Sequence, residues 1–445
     1  MTEFLVSLVV IIGVLPIFLI VLLKFSNRER KWIVVGFLGQ IFATIALIWV
    51  HTDYYGYGDM LSFHRQGMYL ANLMRGDFAF YGPEVFRILV QQDPTSSLWV
   101  HGIGHSTGTM YAMAGFLNYI ANDSLYGISF LARWIAFFGL LAMYAGLKTG
   151  VPEELQIRVL FATLFVPSVV FWSGGLIKEA IAIGGLGFAT LAIYRVAHEK
   201  NYVQGLLLGA GGILLMGLSK GYLLVPFAMG SISFFVIYYA RSAEKDLRAF
   251  AGPGFAVAGL VVAIFAILAI GQIFPRYSIT NLAAEAAHLQ EVGARVEGGS
   301  NFALVDEPGE ELSLGRQLLL TPIALITSLF RPFIFEVHNP FSLLSAIEAM
   351  AAMTLLLTGI YRRGLGEYWR RILFNPTLMY CLIIVILMGI GVGLTTTNMG
   401  SLSRYRIPMM PMYFTLLLLL WPSRKERKVF RPSRSKVRKR VRPTV

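Results

Sequence analysis

Long apolar runs alternate with short polar connections along most of the chain, and this pattern predicts membrane-spanning helices. A helix needs roughly 20 predominantly apolar residues to cross the hydrocarbon core of a bilayer. Eleven runs approach that length, near residues 4–24, 33–50, 125–147, 156–173, 177–197, 203–219, 222–240, 252–274, 341–361, 374–394 and 406–421. The predicted fold class is therefore all-α, a polytopic membrane protein with about eleven transmembrane helices.

Two further apolar runs, 107–120 and 318–330, have only about 13 to 14 residues. That length is short for a span and is typical of interfacial or re-entrant helices. The two runs lie within long polar segments, 51–124 and 275–340. We therefore expect a single transmembrane domain over residues 1–422, with these two segments and their juxtamembrane helices forming a cap at the outer face.

The basic residues of the short connections predict the orientation of the chain. Cytoplasmic loops of membrane proteins carry an excess of Lys and Arg. Such residues follow the first, fifth, seventh, ninth and eleventh runs. After the first run they are Lys24, Arg28, Arg30 and Lys31, and after the fifth they are Arg195 and Lys200. After the seventh they are Arg241, Lys245 and Arg248, and after the ninth they are Arg362, Arg363, Arg370 and Arg371. This distribution predicts an outside N-terminus and a cytoplasmic C-terminus, with both long polar segments outside.

Composition supports a membrane protein and limits the redox chemistry. Hydrophobic residues make up 56% of the 445-residue chain and charged residues only 14%, whereas soluble domains carry about 25% charged residues. The single cysteine, Cys381, lies inside an apolar run. A disulfide framework and a thiolate metal site are therefore excluded.

Most of the net charge of +13 lies in the last residues of the chain. The segment 423–445 contains eleven Lys or Arg residues and one acid, Glu426, which leaves only about three net positive charges for the rest. A polybasic segment directly after a last span is typical of a cytoplasmic tail that contacts anionic lipids. We therefore predict lipid contact for this tail and no nucleic-acid partner.

The remaining concentrated polar residues fall on the predicted outer side. Charged groups at a membrane edge are costly unless they are paired, hydrated or functional. Two carboxylates, Asp53 and Asp59, directly follow the second run. The other candidates, which come from elements spread along the chain, are His64, Trp172, Lys178, Glu179, Lys220, Arg331, Glu336, Arg404, Tyr405 and Arg406. Their convergence at one side of the membrane predicts a site, with Glu179, His64, Trp172, Tyr405 and Glu336 lining a substrate pocket.

These residue types indicate a division of roles. Arg331, Arg404 and Arg406 carry planar guanidinium groups that suit a phosphate or pyrophosphate. Lys178 and Lys220 would add point charges to the same phosphate. An aspartate near such cations stays ionised and accepts a proton from a hydroxyl nucleophile. An anionic lipid with its phosphate at the outer surface fits this arrangement.

Three short segments carry a resemblance to a known family. Gly58-Asp59-Met60-Leu61-Ser62-Phe63-His64, after an early span, resembles the first-loop pattern of C-type (GT-C) multi-spanning glycosyltransferases. The segment 167–179, with the pattern Pro-Ser-x-x-Phe-Trp-Ser-Gly-x-x-x-Lys-Glu, resembles a segment of bacterial members and of related polysaccharide-assembly proteins. Arg404-Tyr405-Arg406-Ile407-Pro408 resembles their late Arg-Tyr-Arg-x-Pro segment. The resemblance covers these segments and the topology.

The resemblance implies an inverting glycosyltransferase at the outer face of the bacterial cytoplasmic membrane. A sugar would pass from a polyprenyl-phosphate-linked donor to a glycan or lipid acceptor. The first-loop acid, Asp59, would be the general base, and Arg404 and Arg406 would hold the donor phosphate. The chain departs from the family layout by an extra span, 4–24, before the one that delivers the acid. Because Asp53 and Asp59 are six residues apart, the choice between them stays open.

Two other functions fit the same distribution of charges. A polysaccharide polymerase or ligase would use outer arginines on undecaprenyl-pyrophosphate glycans and would need no aspartate base. A transporter of lipid-linked sugars would place charges near the bilayer midplane, and the spans carry few, chiefly Arg133 and Glu348. The sequence therefore favours transfer chemistry, and it leaves the sugar, the acceptor and the oligomeric state open.

The aspartates and histidines also have structural interpretations. Asp53 would serve as the N-cap of a juxtamembrane helix, and Asp59 would be part of an amphipathic run. His101 and His105 have the i, i+4 spacing of helical metal ligands, but the glycines between them argue against a helix there. We therefore predict no cofactor and no metal ligand among these residues, and dependence on a divalent metal ion stays open.

Overall fold

The structure is a computed structural model, and its regular structure is helical. It describes residues 2–242, 314–337, 339–396 and 398–422. No β-strand occurs in these ranges, which confirms the predicted all-α class. The predicted span 252–274, the part of the outer segment from 275 to 313, and the tail 423–445 lie outside them.

The helices follow one another with short connections. In the first part of the chain they are α1 Thr2–Leu22, α2 Asn27–Trp49, α3 Asp59–Gly76, α4 Phe78–Leu89, α5 Ser106–Ala121, α6 Leu125–Leu147, α7 Glu153–Leu164, α8 Pro167–Trp172, α9 Lys178–Ala197, α10 Tyr202–Lys220 and α11 Leu224–Ser242. After the gap they are α12 Leu314–Phe330, α13 Pro340–Arg363, α14 Leu365–Leu373, α15 Pro376–Thr395, α16 Met399–Tyr405 and α17 Met410–Leu420.

Seven helical stretches within the described ranges are long and apolar enough to cross a membrane. They are Glu3–Leu22, Asn27–Tyr54, Leu125–Gly150, Lys178–Ala197, Tyr202–Arg241, Pro340–Arg363 and Pro376–Thr395. This set confirms the multi-pass character that the hydrophobic pattern predicts. Of the eleven predicted spans, 252–274 lies outside the described residues, and the other differences from this set are explained next.

The predicted run 156–173 is not one helix. It divides into α7 and the six-residue α8, with Phe165 and Val166 between them. Proline at position 167 has no backbone N–H to donate and disfavours helical backbone at the residue before it. Val166 accordingly has extended backbone. Hydropathy alone does not register this interruption because both pieces are apolar.

The predicted run 406–421 is helical only from Met410 to Leu420, eleven residues. At a rise of about 1.5 Å per residue this helix is too short to cross a bilayer alone. Pro408 lies in a short 3₁₀ turn, Ile407–Met409, and Pro411 lies in the first turn of α17. Most of α17 is buried against α7 and α15, so its apolar residues form core packing.

The predicted runs 203–219 and 222–240 form one continuous helical stretch. A single 3₁₀ turn, Gly221–Leu223, joins α10 to α11. The two helices pack on different partners, because α10 lies chiefly against α9 and α11 chiefly against α15. Lys220, the last residue of α10, therefore lies at the joint between two groups of helices.

Helix α9 occupies the centre of the packing, between α6 and α10. Small residues permit this close approach, as they commonly do between membrane helices. A Cβ atom on Gly185 of α9 would lie 2.7 Å from the carbonyl oxygen of Gly212 on α10. The first turn of α9 is therefore held firmly in the interior of the protein.

The segment 51–124, which the charge pattern predicts to lie outside, contains several helices. It contains α3, α4 and α5, and α3 packs along α5. The short run 107–120 corresponds to α5, and the run 318–330 corresponds to α12. Both were predicted as short helices, and both occur.

Arg133 of α6 joins three elements in the core through neutral partners. Its side chain is fully buried. The guanidinium donates to Thr44 Oγ1 at 2.9 Å, to Ser173 Oγ at 2.7 Å and to the carbonyl of Val170 at 2.7 Å, and it also bonds the side chain of Gln40. These bonds hold the end of α8, and with it the turn that leads into α9.

Candidate functional site

Asp59 begins α3 after a tight turn. The preceding residue, Gly58, has φ +134°, and a Cβ atom there would lie 2.8 Å from His51 Cδ2. Only glycine satisfies both the backbone conformation and the lack of space. Asp59 then lies in the first turn of the helix, where the helix dipole favours a negative charge. Its side chain is 52% exposed.

Arg404 of α16 bridges two carboxylates from distant parts of the chain. Its Nη2 donates to Asp59 Oδ2 at 2.5 Å, although the two residues are 345 positions apart. Its Nε donates to Glu179 Oε1 at 3.0 Å. Burial alone would lower the pKa of Arg404, but the carboxylates of Glu179 and Asp59 raise that pKa above its ordinary value. Arg404 therefore stays charged.

Glu179 is fully buried in the first turn of α9 and has a second cation beside it. Lys220 Nζ donates to the same Oε1 atom at 2.8 Å. The ammonium of Lys220 also lies 4.4 Å from the ring centroid of Tyr405 and 5.7 Å from that of Tyr222. Such cation–π contacts stabilise a positive charge away from water. Glu179 therefore fixes both Lys220 and Arg404 in place.

Lys178 precedes Glu179 but has neutral partners. Its Nζ donates to Ser106 Oγ at 3.0 Å and to Thr107 Oγ1 at 2.9 Å, both in the first turn of α5. Lys178 also interacts electrostatically with the other charged residues of this region. We name Asp59, Lys178, Glu179, Lys220 and Arg404 the charge cluster. Three cations face two carboxylates in it, so it has one net positive charge.

The charge cluster combines two chemical capabilities. The half-exposed carboxylate of Asp59 pairs with Arg404 and has oxygens available to accept hydrogen bonds. The guanidinium of Arg404 and the ammonium of Lys178 are donors of the kind that bind phosphate oxygens. A phosphorylated molecule that exchanged one contact of Arg404 for its own oxygens would lie directly beside Asp59.

Arg406 lies away from the charge cluster. It is fully buried, and its Nη1 donates to the carbonyls of Arg331 at 2.6 Å and Ser328 at 3.3 Å. Two residues along a helical backbone are related by a rotation of about 200°, so Arg404 and Arg406 face opposite sides. The predicted pairing of both arginines on one phosphate therefore does not match their positions.

Arg331 and Glu336 form an ion pair with each other. Arg331 Nε donates to Glu336 Oε1 at 2.9 Å, and the backbone N–H of Phe333 donates to Glu336 Oε2 at 2.8 Å. These bonds close the turn that follows α12. Arg331 was predicted to bind the phosphate, and Glu336 was predicted to line the substrate pocket. In the structure these two residues bind each other and hold a local turn.

His64, Trp172 and Asp53 occupy three further positions. His64 is buried on the face of α3 that packs on α5, and burial lowers its pKa. The ring of Trp172 lies 6.4 Å from that of His51. Asp53 is exposed in a π-helical turn, Val50–Tyr54, where its Oδ2 accepts a hydrogen bond from Thr52 Oγ1. The proposed N-cap role of Asp53 is wrong, because the residue before α3 is Gly58.

Sequence reasoning missed several residues around the charge cluster. Ser106 and Thr107, which hold Lys178, begin a helix after Gly102 and Gly104, two glycines with positive φ. Glycines followed by Ser-Thr are a recognisable helix start, and this signal was available. The contact of Tyr222 with Lys220 had no comparable signal, because it depends on how α10 continues into α11.

Searches for related proteins and for metal sites gave negative results. No family model, curated protein or solved structure matches this chain. The resemblance to glycosyltransferases therefore depends on the three short sequence segments.

Within the described ranges, no group of three or more His, Cys, Asp or Glu side chains is arranged to hold a metal ion.

Proposed function

We propose that the protein is a membrane glycosyltransferase that moves a sugar from a polyprenyl-phosphate-linked donor to a glycan or lipid acceptor. The observation that carries the proposal is the contact between Asp59 and Arg404. A half-exposed carboxylate, suited to a general base, lies at 2.5 Å from a guanidinium suited to phosphate. Sugar transfer from a lipid phosphate needs these two groups side by side.

The chemistry can be assigned to individual atoms. An acceptor hydroxyl attacks the anomeric carbon of the donor as its proton passes to an Asp59 carboxylate oxygen. The bond between the anomeric carbon and the phosphate oxygen breaks, and its electron pair stays on that oxygen. Arg404 and Lys178 stabilise the charge of the departing polyprenyl phosphate. Attack opposite to the leaving group inverts the configuration at the anomeric carbon.

Glu179 acts as a positioning residue in this mechanism. It is fully buried, so the substrate does not reach it in this conformation. Its Oε1 atom accepts from both Lys220 and Arg404. A buried carboxylate with two cations holds the guanidinium in one orientation, which keeps the other edge of Arg404 directed at Asp59.

The proposal includes the location of the site. The charge cluster faces the outer side of a bacterial cytoplasmic membrane, with the N-terminus outside and the C-terminus inside. Polyprenyl-linked sugars then enter from the outer leaflet, and the segment 423–445 contacts anionic lipids on the cytoplasmic side.

A second candidate function is a polymerase or ligase acting on undecaprenyl-pyrophosphate glycans. The excess of cations over carboxylates in the charge cluster favours it, since a pyrophosphate linkage carries more negative charge than the phosphodiester that joins a sugar to a polyprenyl phosphate. In that case Asp59 only anchors Arg404 and takes no proton. The two candidates therefore differ in what Asp59 does.

The deciding experiment replaces Asp59 by Asn. The purified protein in proteoliposomes receives a panel of synthetic polyprenyl-phosphate sugars, and transfer to endogenous or added glycan is measured. We expect Asp59→Asn to lower kcat by about 100-fold or more, because general-base catalysis contributes about 10²–10⁴. Asp93→Asn, at an exposed aspartate of the same segment 51–124 that is not part of the charge cluster, is the matched control and should retain transfer. Normal transfer by Asp59→Asn contradicts the base assignment, and no transfer by the wild-type protein from any of these donors contradicts the proposed donor class.

A further inference from the structure

Aromatic rings from three separate parts of the chain form one continuous surface. The ring centroids of Tyr54 and Phe341 are 5.7 Å apart, and Phe171 stacks on Phe341 at 5.6 Å. Phe171 in turn contacts Trp172 at 5.1 Å. We name this surface the aromatic platform, and it consists of Tyr54, Tyr55, Tyr57, Phe171, Trp172 and Phe341.

The aromatic platform adjoins the charge cluster through His51. The His51 ring lies 6.4 Å from the Trp172 ring, and its Nδ1 is bonded to the carbonyl of Leu47 at 2.9 Å. The Cδ2 atom of the same ring lies so close to Gly58 that position 58 accommodates a hydrogen atom but no side chain. Asp59 is the next residue. His51 also interacts electrostatically with Arg404 and Asp59, so the aromatic platform and the charge cluster are neighbours.

The π-helical turn Val50–Tyr54 brings several rings to the same side. Turns of this kind contain one residue more than an α-helical turn and are frequent at functional sites. Tyr54 and Tyr55 are neighbours in sequence, yet their ring centroids are only 4.9 Å apart, and Tyr55 lies 5.9 Å from Tyr57. Tyr54 is 51% exposed and Tyr57 is 69% exposed. The platform thus has an accessible edge formed by hydroxyl-bearing rings.

The chemistry of this edge indicates its ligand. Asp53, whose carboxylate is exposed, lies in the same turn as Tyr54. This edge lies at the end of the apolar stretch Asn27–Tyr54. The exposed carboxylate of Asp53 repels anionic lipid headgroups and is costly in hydrocarbon, so it favours contact with water or a polar ligand there. A neutral sugar ring presents an apolar face of C–H groups and an edge of hydroxyl groups. Aromatic faces beside a few polar acceptors match both parts.

We propose that the aromatic platform binds a pyranose ring of the acceptor glycan, with the Asp53 carboxylate accepting hydrogen bonds from its hydroxyl groups. This inference rests on the proposed function, since it supplies the acceptor for the same site. It also separates the two aspartates. Asp59 takes the proton of the attacking hydroxyl, and Asp53 orients the sugar that bears it.

Sugar binding without transfer tests the platform. The full-length protein in lipid nanodiscs is titrated with a panel of soluble neutral hexose oligosaccharides, with no lipid-linked donor present, and binding is followed by saturation-transfer-difference NMR. Tyr57→Ala and Tyr54→Ala should each weaken binding by about three- to tenfold, because one aromatic contact is worth about 0.5–1.5 kcal/mol. Tyr57→Phe retains the ring and should bind more tightly than Tyr57→Ala.

The matched control is Trp99→Ala. Trp99 is 73% exposed in the same outer segment but is not part of the platform, and its loss should leave binding unchanged. An equal loss in Trp99→Ala, unchanged binding in both tyrosine variants, or no oligosaccharide bound by the wild-type protein overturns the inference. The transfer assay of Asp59→Asn tests the base in a separate measurement, so the two proposals fail in different experiments.

Discussion

The surroundings of Arg404 and of Arg406 differ although the residues are two positions apart. Arg404 is held by two carboxylates, one of them half exposed. Arg406 is fully buried and donates to backbone carbonyls. The difference shows that the partners of a charge, and not its place in a motif, indicate its role. A charge held by opposite charges near solvent is available for exchange with a ligand. The structural role of Arg406 depends on its Nη1 bonds, because its Nε and Nη2 have no hydrogen-bond partner among the described residues.

The largest effect expected within this comparison is that of Arg404→Ala on the donor. Hydrogen bonds to a charged group contribute about 1.5–3 kcal/mol, so we expect donor affinity to fall about 10- to 100-fold. Glu179 keeps Lys220 as its partner, so the protein should remain folded. Binding of a fluorescent polyprenyl-phosphate sugar to proteoliposomes measures the change. Unchanged affinity in a folded Arg404→Ala protein contradicts the phosphate assignment.

Arg406→Ala should act on stability instead. It leaves the carbonyls of Arg331 and Ser328 without their donor and creates a cavity, which together cost about 2 kcal/mol or more. Thermal unfolding in one detergent, compared with wild type and with Arg406→Met, measures this loss. Arg406→Met fills the volume without the hydrogen bonds and should show an intermediate effect. Folded Arg406→Ala protein should bind the donor normally, and a selective loss of donor binding would place Arg406 with Arg404.

Glu84 extends the comparison to an anion with neutral partners. Thr95 and Ser96 donate to its carboxylate from side chain and backbone, and these bonds lower its pKa from 4.5 to about 2. Because the folded pKa lies below the unfolded one, the stabilisation is complete above about pH 4.5 and disappears as the pH falls towards 2. The loop around residues 93–97 should therefore become sensitive to an acid protease only below pH 4.5. Glu84→Gln should make it sensitive at pH 4.5 and above, and equal behaviour of the two proteins contradicts this role.

The positions of most helices follow from the sequence because hydropathy reports burial or lipid contact directly. At α8 and α17 the predicted spans are wrong, because hydropathy does not distinguish a long helix that faces lipid from a short apolar helix that is buried in the protein. Proline at 167, 408 and 411 carried the missing information. The opposite orientations of Arg404 and Arg406 were also predictable, because two residues that are two positions apart in a helix are rotated by about 200°.

The composition of the charge cluster was only partly predictable. The predicted set included all five members, because Asp59, Lys178, Glu179, Lys220 and Arg404 each follow or precede an apolar run. Which of them touch each other depends on helix packing across hundreds of residues. The sequence does not specify that Glu179 holds Lys220 and Arg404, nor that Arg331 pairs with Glu336.

The contact between Asp59 and Arg404 has a consequence for how the protein is made. Chains emerge from the ribosome N-terminus first, so Asp59 is synthesised 345 residues before its partner. Glu179 and Lys220 are both available earlier and pair without Arg404. A chain that stops before α16 therefore contains Asp59 and the buried Glu179 but lacks the cation between them. The charge cluster is thus complete only when the final part of the polypeptide has been inserted, and under the proposed function we expect nascent or truncated copies to be inactive.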